Sequence, residues 1–156
     1  MGKKIATLLA SVALGAMTLA GQASAAPVGH NVSVATDQAD GARTKASQTL
    51  YAPSVLERDQ SVSSDTARLV MQSDGNLVVY DEFNRARWAS NTVNRGWRAA
   101  FQEDGNFVVY SRSGRAVWAS NTAGHPGSRL VVQDDGNVVI YDGSRAIWAT
   151  GTDHLR

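Results

Sequence analysis

Three times along the chain an Asp-Gly pair interrupts an apolar run, and each time the residues that follow alternate between two faces. After Asp74-Gly75, the side chains of Leu77 and Val79 fall on one side of an extended chain, and those of Asn76, Val78 and Tyr80 on the other. After Asp104-Gly105 the apolar face carries Phe107 and Val109, and after Asp135-Gly136 it carries Val138 and Ile140. An Asp-Gly pair between apolar runs is a strong hairpin signal, and period-two alternation marks strands with one buried face. From residue 47 onward no stretch places apolar residues at helical spacing, so the pattern predicts an all-β domain.

The hairpins belong to a repeat. Gln72-Ser73-Asp74-Gly75-Asn76-Leu77-Val78-Val79-Tyr80 returns as Gln102-Glu103-Asp104-Gly105-Asn106-Phe107-Val108-Val109-Tyr110. It returns again as Gln133-Asp134-Asp135-Gly136-Asn137-Val138-Val139-Ile140-Tyr141. A trailing element follows each copy: Trp88-Ala89-Ser90-Asn91-Thr92, Trp118-Ala119-Ser120-Asn121-Thr122 and Trp148-Ala149-Thr150-Gly151-Thr152. The tryptophans are 30 residues apart both times, while the glutamines are 30 and 31 apart. The extra residue falls in the loop around His125-Pro126-Gly127, where insertion is tolerated. A unit of about 30 residues makes three or four short strands, too few to cover a sheet face alone. Three such sheets can bury their apolar faces together around a pseudo-three-fold axis, with Trp88, Trp118 and Trp148 as the central filling. The first sheet needs strand material from before Gln72, which Leu50-Tyr51, Val55-Leu56, Ser61-Val62 and Leu69-Val70-Met71 can supply. The domain therefore begins near residue 47.

Ahead of it stand two segments of different character. Lys3 and Lys4 precede an apolar stretch from Ile5 to Ala20, and Ala23-Ser24-Ala25 has the small-x-small form of a cleavage site. Residues 1–25 are read as an export signal, because the apolar stretch is shorter than the roughly 20 residues of a spanning helix. The expected location is outside the cell, with no membrane insertion once the signal is cut. Residues 26–46 hold almost no large apolar side chains and are read as a flexible leader or linker.

Charge and composition narrow the chemistry. From Ser47 on there are 11 Arg and no Lys against 12 Asp plus Glu, a formal charge of −1, and the domain is expected to have no clustered basic face. Nucleic-acid binders draw most of their affinity from such clusters, so that class of partner is set aside. The absence of cysteine excludes disulfides and thiolate metal sites. His30, His125 and His154 fall in the leader, a loop and the tail with no ligand spacing, so no metal or cofactor is expected. An enzyme finds no support either. The adjacent acids Asp134-Asp135 have Ser73 and Glu103 at the repeat equivalents of Asp134, and no nucleophile motif is present.

The repeated polar face remains to be explained. Asp and Asn beside a Gly turn can simply satisfy backbone groups. A turn alone, however, requires neither Gln two residues before the Asp nor Tyr six after it, in all three copies. Amides that donate and accept, a carboxylate, a phenol and a small apolar contact are what a ring of sugar hydroxyls needs.

With these residues the chain resembles the bulb-type mannose-binding lectins first known from monocots, a family with bacterial members, and is read as a secreted bacterial one. The likeness covers about residues 48 to 156, so residues 47–156 form the lectin domain. It implies a β-prism II fold of three four-stranded antiparallel sheets about a pseudo-three-fold axis. It also implies three mannose sites: Gln72, Asp74, Asn76, Val78 and Tyr80; Gln102, Asp104, Asn106, Val108 and Tyr110; and Gln133, Asp135, Asn137, Val139 and Tyr141. In the family the Gln bonds the 3-hydroxyl, Asp and Asn the axial 2-hydroxyl and Tyr the 4-hydroxyl, while Val packs on ring carbons. The expected partners are mannose-containing glycans, and homodimerisation by C-terminal strand exchange is left open. Plant members usually hold a disulfide in the first part of the domain. Here Gly75 and the region of Trp97 take its place, and stability rests on packing. Two other functions fit the same motif: a lectin-like antibacterial protein, or a structural or adhesive surface protein with vestigial sugar sites.

Overall fold

The computed structural model describes the backbone strand at residues 34–36 and residues 46–154; the expected signal and most of the leader lie outside the described residues. Thirteen strands are described: β1 (Val34–Thr36), β2 (Gln48–Tyr51), β3 (Ser54–Glu57), β4 (Ser61–Ser63), β5 (Ala67–Met71), β6 (Leu77–Asp81), β7 (Ala86–Ala89), β8 (Arg98–Phe101), β9 (Phe107–Tyr110), β10 (Ala116–Ala119), β11 (Arg129–Val132), β12 (Val138–Asp142) and β13 (Arg145–Ala149). They form three antiparallel sheets, one per repeat: β4-β5-β6-β7, β3-β8-β9-β10, and β2-β11-β12-β13 with β1 added at its edge.

Each repeat supplies only three of its sheet's strands. The fourth comes from the segment before residue 64, which lays β2 on the third sheet, β3 on the second and β4 on the first. This corrects the expectation that the early apolar pairs all serve the first sheet; only β4 and β5 do. Each three-stranded unit leaves an open edge of unpaired N–H and C=O groups, and one strand laid along each edge satisfies all three. β1 then covers the outer edge of β2, pairing Val34 with Leu50 and Thr36 with Gln48. The closing strand β13 pairs with β12 of the same chain.

The Asp-Gly hairpins form as expected, but with three-residue loops. In the first, the Gly75 N–H donates to Gln72 O at 2.9 Å and Gln72 N–H to Asn76 O at 2.8 Å. Gly75, Gly105 and Gly136 have φ of 91°, 89° and 95°, where a side chain is strained, so the repeat needs glycine there. A Cβ on Gly75 would also lie 2.5 Å from Gly96 O, so two backbones meet where plant relatives are expected to place a disulfide.

The apolar faces turn inward: Leu77, Val79, Phe107, Val109, Val138 and Ile140 are buried in one continuous core. Each last strand carries an extra residue just before its Trp, so that Trp88 faces Val79, Trp118 faces Val109 and Trp148 faces Ile140. Such a bulge re-aims the side chain that follows it. The three indoles meet edge to face, with centroids 5.3, 5.7 and 5.7 Å apart, at the expected centre.

Candidate carbohydrate sites

Hairpin and trailing element together build the same polar constellation three times. At the turn, one carboxylate oxygen of Asp74 accepts the Asn76 backbone N–H at 2.9 Å; Asp104 and Asp135 do the same for Asn106 and Asn137, also at 2.9 Å. The second oxygen of each aspartate takes no hydrogen bond among the described residues. Across the strand pair, the side-chain amide of Gln72 donates to the Tyr80 hydroxyl at 2.7 Å, Gln102 to Tyr110 at 2.6 Å and Gln133 to Tyr141 at 2.8 Å.

The asparagines are held from behind. Asn76 Oδ1 accepts from Thr92 N–H at 3.0 Å and from the Ser90 hydroxyl at 3.3 Å. Asn106 Oδ1 accepts from Thr122 N–H at 3.1 Å and Ser120 at 3.2 Å, and Asn137 Oδ1 from Thr152 N–H at 3.2 Å and Thr150 at 3.0 Å. Because backbone N–H groups can only donate, the carbonyl of each amide must face inward and its NH₂ outward. The threonine hydroxyls continue the support, with Thr92, Thr122 and Thr152 each donating at 2.7 Å to the carbonyl of Gly75, Gly105 and Gly136.

Each site thus presents a carboxylate acceptor, an amide donor, the Gln carbonyl as acceptor and the Tyr hydroxyl with its proton free to donate. Between them lies Val78, Val108 or Val139, each only 3% exposed, which forms an apolar floor rather than a projecting contact. The structure brings together all five residues expected in each repeat.

Other residues that shape the sites were not singled out from the sequence. The Ser/Thr pair of the trailing element was visible as a repeat, but its role as the clamp on Asn needs the third dimension. Arg68, Arg98 and Arg129 place their guanidinium groups 5.0, 5.8 and 5.0 Å from the ring centroids of Tyr80, Tyr110 and Tyr141. All three precede the motif Gln by four residues, a regularity legible in the aligned repeats. A third layer closes the turns from outside, where Asn94, His125 and His154 each donate a backbone N–H to the carbonyl of Asp74, Asp104 and Asp135 at 2.7, 2.9 and 2.9 Å. The side chains differ: His125 Nδ1 lies 2.9 Å from Asp142, and His154 Nε2 lies 2.8 Å from Glu82. The backbone carbonyl of Thr152 on Nδ1, aided by the Glu82 carboxylate, holds His154 above its ordinary pKa of 6.5, against a lowering by burial. Among the described residues, no group of three or more His, Asp or Glu side chains is placed to hold a metal ion.

No protein-family model and no curated protein sequence matches the chain. Solved structures do. A monomeric monocot mannose-binding lectin from Gastrodia elata is 44% identical, with a TM-score of 0.62, over 68% of this chain and 98% of that one. The mannose-specific agglutinin of snowdrop (Galanthus nivalis) bulbs, solved with methyl-α-D-mannoside, is 39% identical, with a TM-score of 0.56, over 69% of this chain and 98% of its own. The Polygonatum cyrtonema lectin in complex with monomannoside is 38% identical with a TM-score of 0.56, again over 69% and 98%. Three sheets about a tryptophan centre, at this identity over nearly the whole of each relative, show that the chain belongs to the bulb-type monocot mannose-binding lectin family.

Proposed function

We propose that the protein is an exported lectin that binds mannose-containing glycans, without cleaving them and without a metal, at three sites. They are formed by Gln72, Asp74, Asn76, Val78 and Tyr80 and by the corresponding residues of the other two repeats. The observation that carries this reading is the three-fold recurrence of one hydrogen-bonded set, with the Asn carbonyl held from behind, the Gln amide tied to the Tyr hydroxyl, and a further donor or acceptor of each left over. A turn or a fold determinant requires only the inward bonds. The outward set, two acceptors and two donors within one strand pair, matches adjacent hydroxyls of a pyranose, and two of the related lectins are solved with mannosides bound. Sites committed to an axial hydroxyl leave polar groups unpaired when an epimer binds, which favours mannose over glucose. Export is supported by the basic start, the apolar stretch from Ile5 to Ala20 and Ala23-Ser24-Ala25.

Calorimetry of the mature chain with methyl-α-D-mannoside tests the reading. Three equivalent sites, weak on the order of millimolar, unaffected by chelator and silent to galactose are expected. No binding to mannoside, or binding abolished by chelator, refutes it.

A further inference from the structure

The three hairpins that follow the motif tyrosines are equivalent in the repeat but not in charge. In the first, buried Asp81 accepts the backbone N–H groups of Phe83 and Arg85 at 2.9 Å each and pairs with the Arg85 guanidinium at 2.9 Å. In the third, Asp142 occupies the same place and faces His125. In the second that place belongs to Ser111. Its hydroxyl accepts the Arg115 N–H at 3.1 Å, so the turn keeps its hydrogen bond and loses its charge. Among the described residues Arg115, the counterpart of Arg85, pairs with no carboxylate.

Two further arginines gather there, which corrects the expectation of no clustered basic face: residues distant in sequence are brought together by the fold. Arg112 lies 5.0 Å from the ring centroid of Trp97, an indole with no counterpart in the other repeats, whose ring also carries Arg58 at 4.2 Å. Arg95 reaches in from the loop between β7 and β8, its guanidinium donating to Asn91 O at 2.7 Å. With Ser111 and Ser113 these three arginines line a depression of about 450 Å³ that has Val117 in its wall and, among the described residues, no carboxylate. Among the described residues none of the three forms an ion pair. Its position joins two motifs. The neighbouring Asn94 donates its N–H to Asp74 O of the first site, and Trp97 donates its N–H to the carbonyl of Tyr110 in the second, both at 2.7 Å.

Three like charges held together without a counter-charge repel one another, and an anion placed among them relieves that repulsion. A guanidinium laid over an indole keeps its in-plane N–H donors free, and their fork matches the oxygens of a tetrahedral oxyanion. The Ser111 and Ser113 hydroxyls lie 3.0 Å apart and share one hydrogen bond, which leaves one hydroxyl proton of the pair as a further donor. We propose that this depression is an anion subsite for a phosphate or sulfate ester carried by the bound glycan, so that the protein favours anionic over neutral mannans. The inference rests on the mannose-site reading above and extends it to substituents of the glycan.

Retention of the mature chain is measured on phosphomannan, on the same polymer after phosphatase treatment and on sulfated mannan, at low and high salt. Wild type is expected to hold an anionic polymer about tenfold more tightly than the neutral one at low salt, a gap typical of charge-assisted hydrogen bonds and narrowing with salt. The phosphate and sulfate arms show which ester is taken. Ser111→Asp, which installs the carboxylate that the first hairpin carries, and the double variant Arg112→Gln/Arg115→Gln are both expected to erase the gap and leave methyl-mannoside binding unchanged. Equal retention of anionic and neutral polymers by wild type, or a gap that both variants keep, overturns the proposal. If neither polymer is retained, the mannose-site reading has failed. The subsite is then judged by inorganic phosphate alone: a shift of the Trp97 indole resonance that the double variant lacks supports it, and no shift overturns it.

Discussion

Removing one buried hydroxyl behind the second site, as in Thr122→Val, tests whether the Ser/Thr clamp is what makes the motif a binding site. Valine matches threonine in shape, so the change deletes hydrogen bonds without opening a cavity. The Thr122 hydroxyl donates to Gly105 O at 2.7 Å and lies 2.7 Å from the Ser120 hydroxyl, and Thr122 and Ser120 are both buried. Gly105 O would lose this donor at a position from which water is excluded, a loss of about 1–3 kcal/mol. With a urea slope of about 1–3 kcal/mol/M for a domain of this size, the midpoint falls by on the order of 1 M. Thr122→Ser keeps the hydroxyl and is expected to lose far less. The functional consequence is local. Gly105 follows Asp104 in the turn, so the second site loosens while the first and third, each with its own clamp, stay intact. Calorimetry with methyl-α-D-mannoside should then count two sites instead of three. An unchanged midpoint together with three sites would refute the clamp; a lower midpoint with three sites would show it to be structural alone.

Three more outcomes are expected. Trp118→Ala removes edge-to-face contacts with Trp88, Trp148 and Phe107 at 5.3, 5.7 and 6.1 Å and should cost about 3–5 kcal/mol by urea denaturation. Trp97→Ala, flanked by arginines at the periphery, should cost about 1–2 kcal/mol, and equal losses would argue against the tryptophan centre. Because the folded pKa of His154 is raised, its contribution to stability is full below about 6.5 and fades as pH rises through the raised value; the midpoint gap between wild type and His154→Asn should shrink from pH 6 to pH 9, and a pH-independent gap would exclude the link. Asn106→Ala should leave two mannoside sites by calorimetry yet weaken retention on branched mannan by about tenfold or more, since avidity multiplies separate weak contacts; loss of all mannoside binding would contradict independent sites.

Much was legible in the chain. The Asp-Gly turns and period-two alternation after them identified strands β6, β9 and β12 and their inward faces, because a hairpin and the sidedness of a strand are decided by neighbouring residues. The 30-residue spacing of Trp88, Trp118 and Trp148 indicated three equivalent sheets about one centre. The four polar positions and the valine that recur in each hairpin were also legible, since a pattern repeated three times leaves the same residue types at the same offsets.

What only the tertiary structure decided are the pairings between distant segments. That β2, β3 and β4 go to three different sheets follows from three open edges and the geometry that closes them, and no local pattern names the partner of an edge strand. Likewise Thr92, Thr122 and Thr152 were visible in sequence, but that their backbone N–H groups turn the Asn carbonyls inward depends on hydrogen bonds across 15 or 16 residues. The clamps of His125 and His154 were hidden, because loops of unequal length bring them to equivalent places. Sequence by itself determined which residue types recur and which way they face on a strand. Chain folding decided which of their hydrogen-bonding groups are used up inside and which remain free, because each group has few valences and only its neighbours in space determine how many are taken.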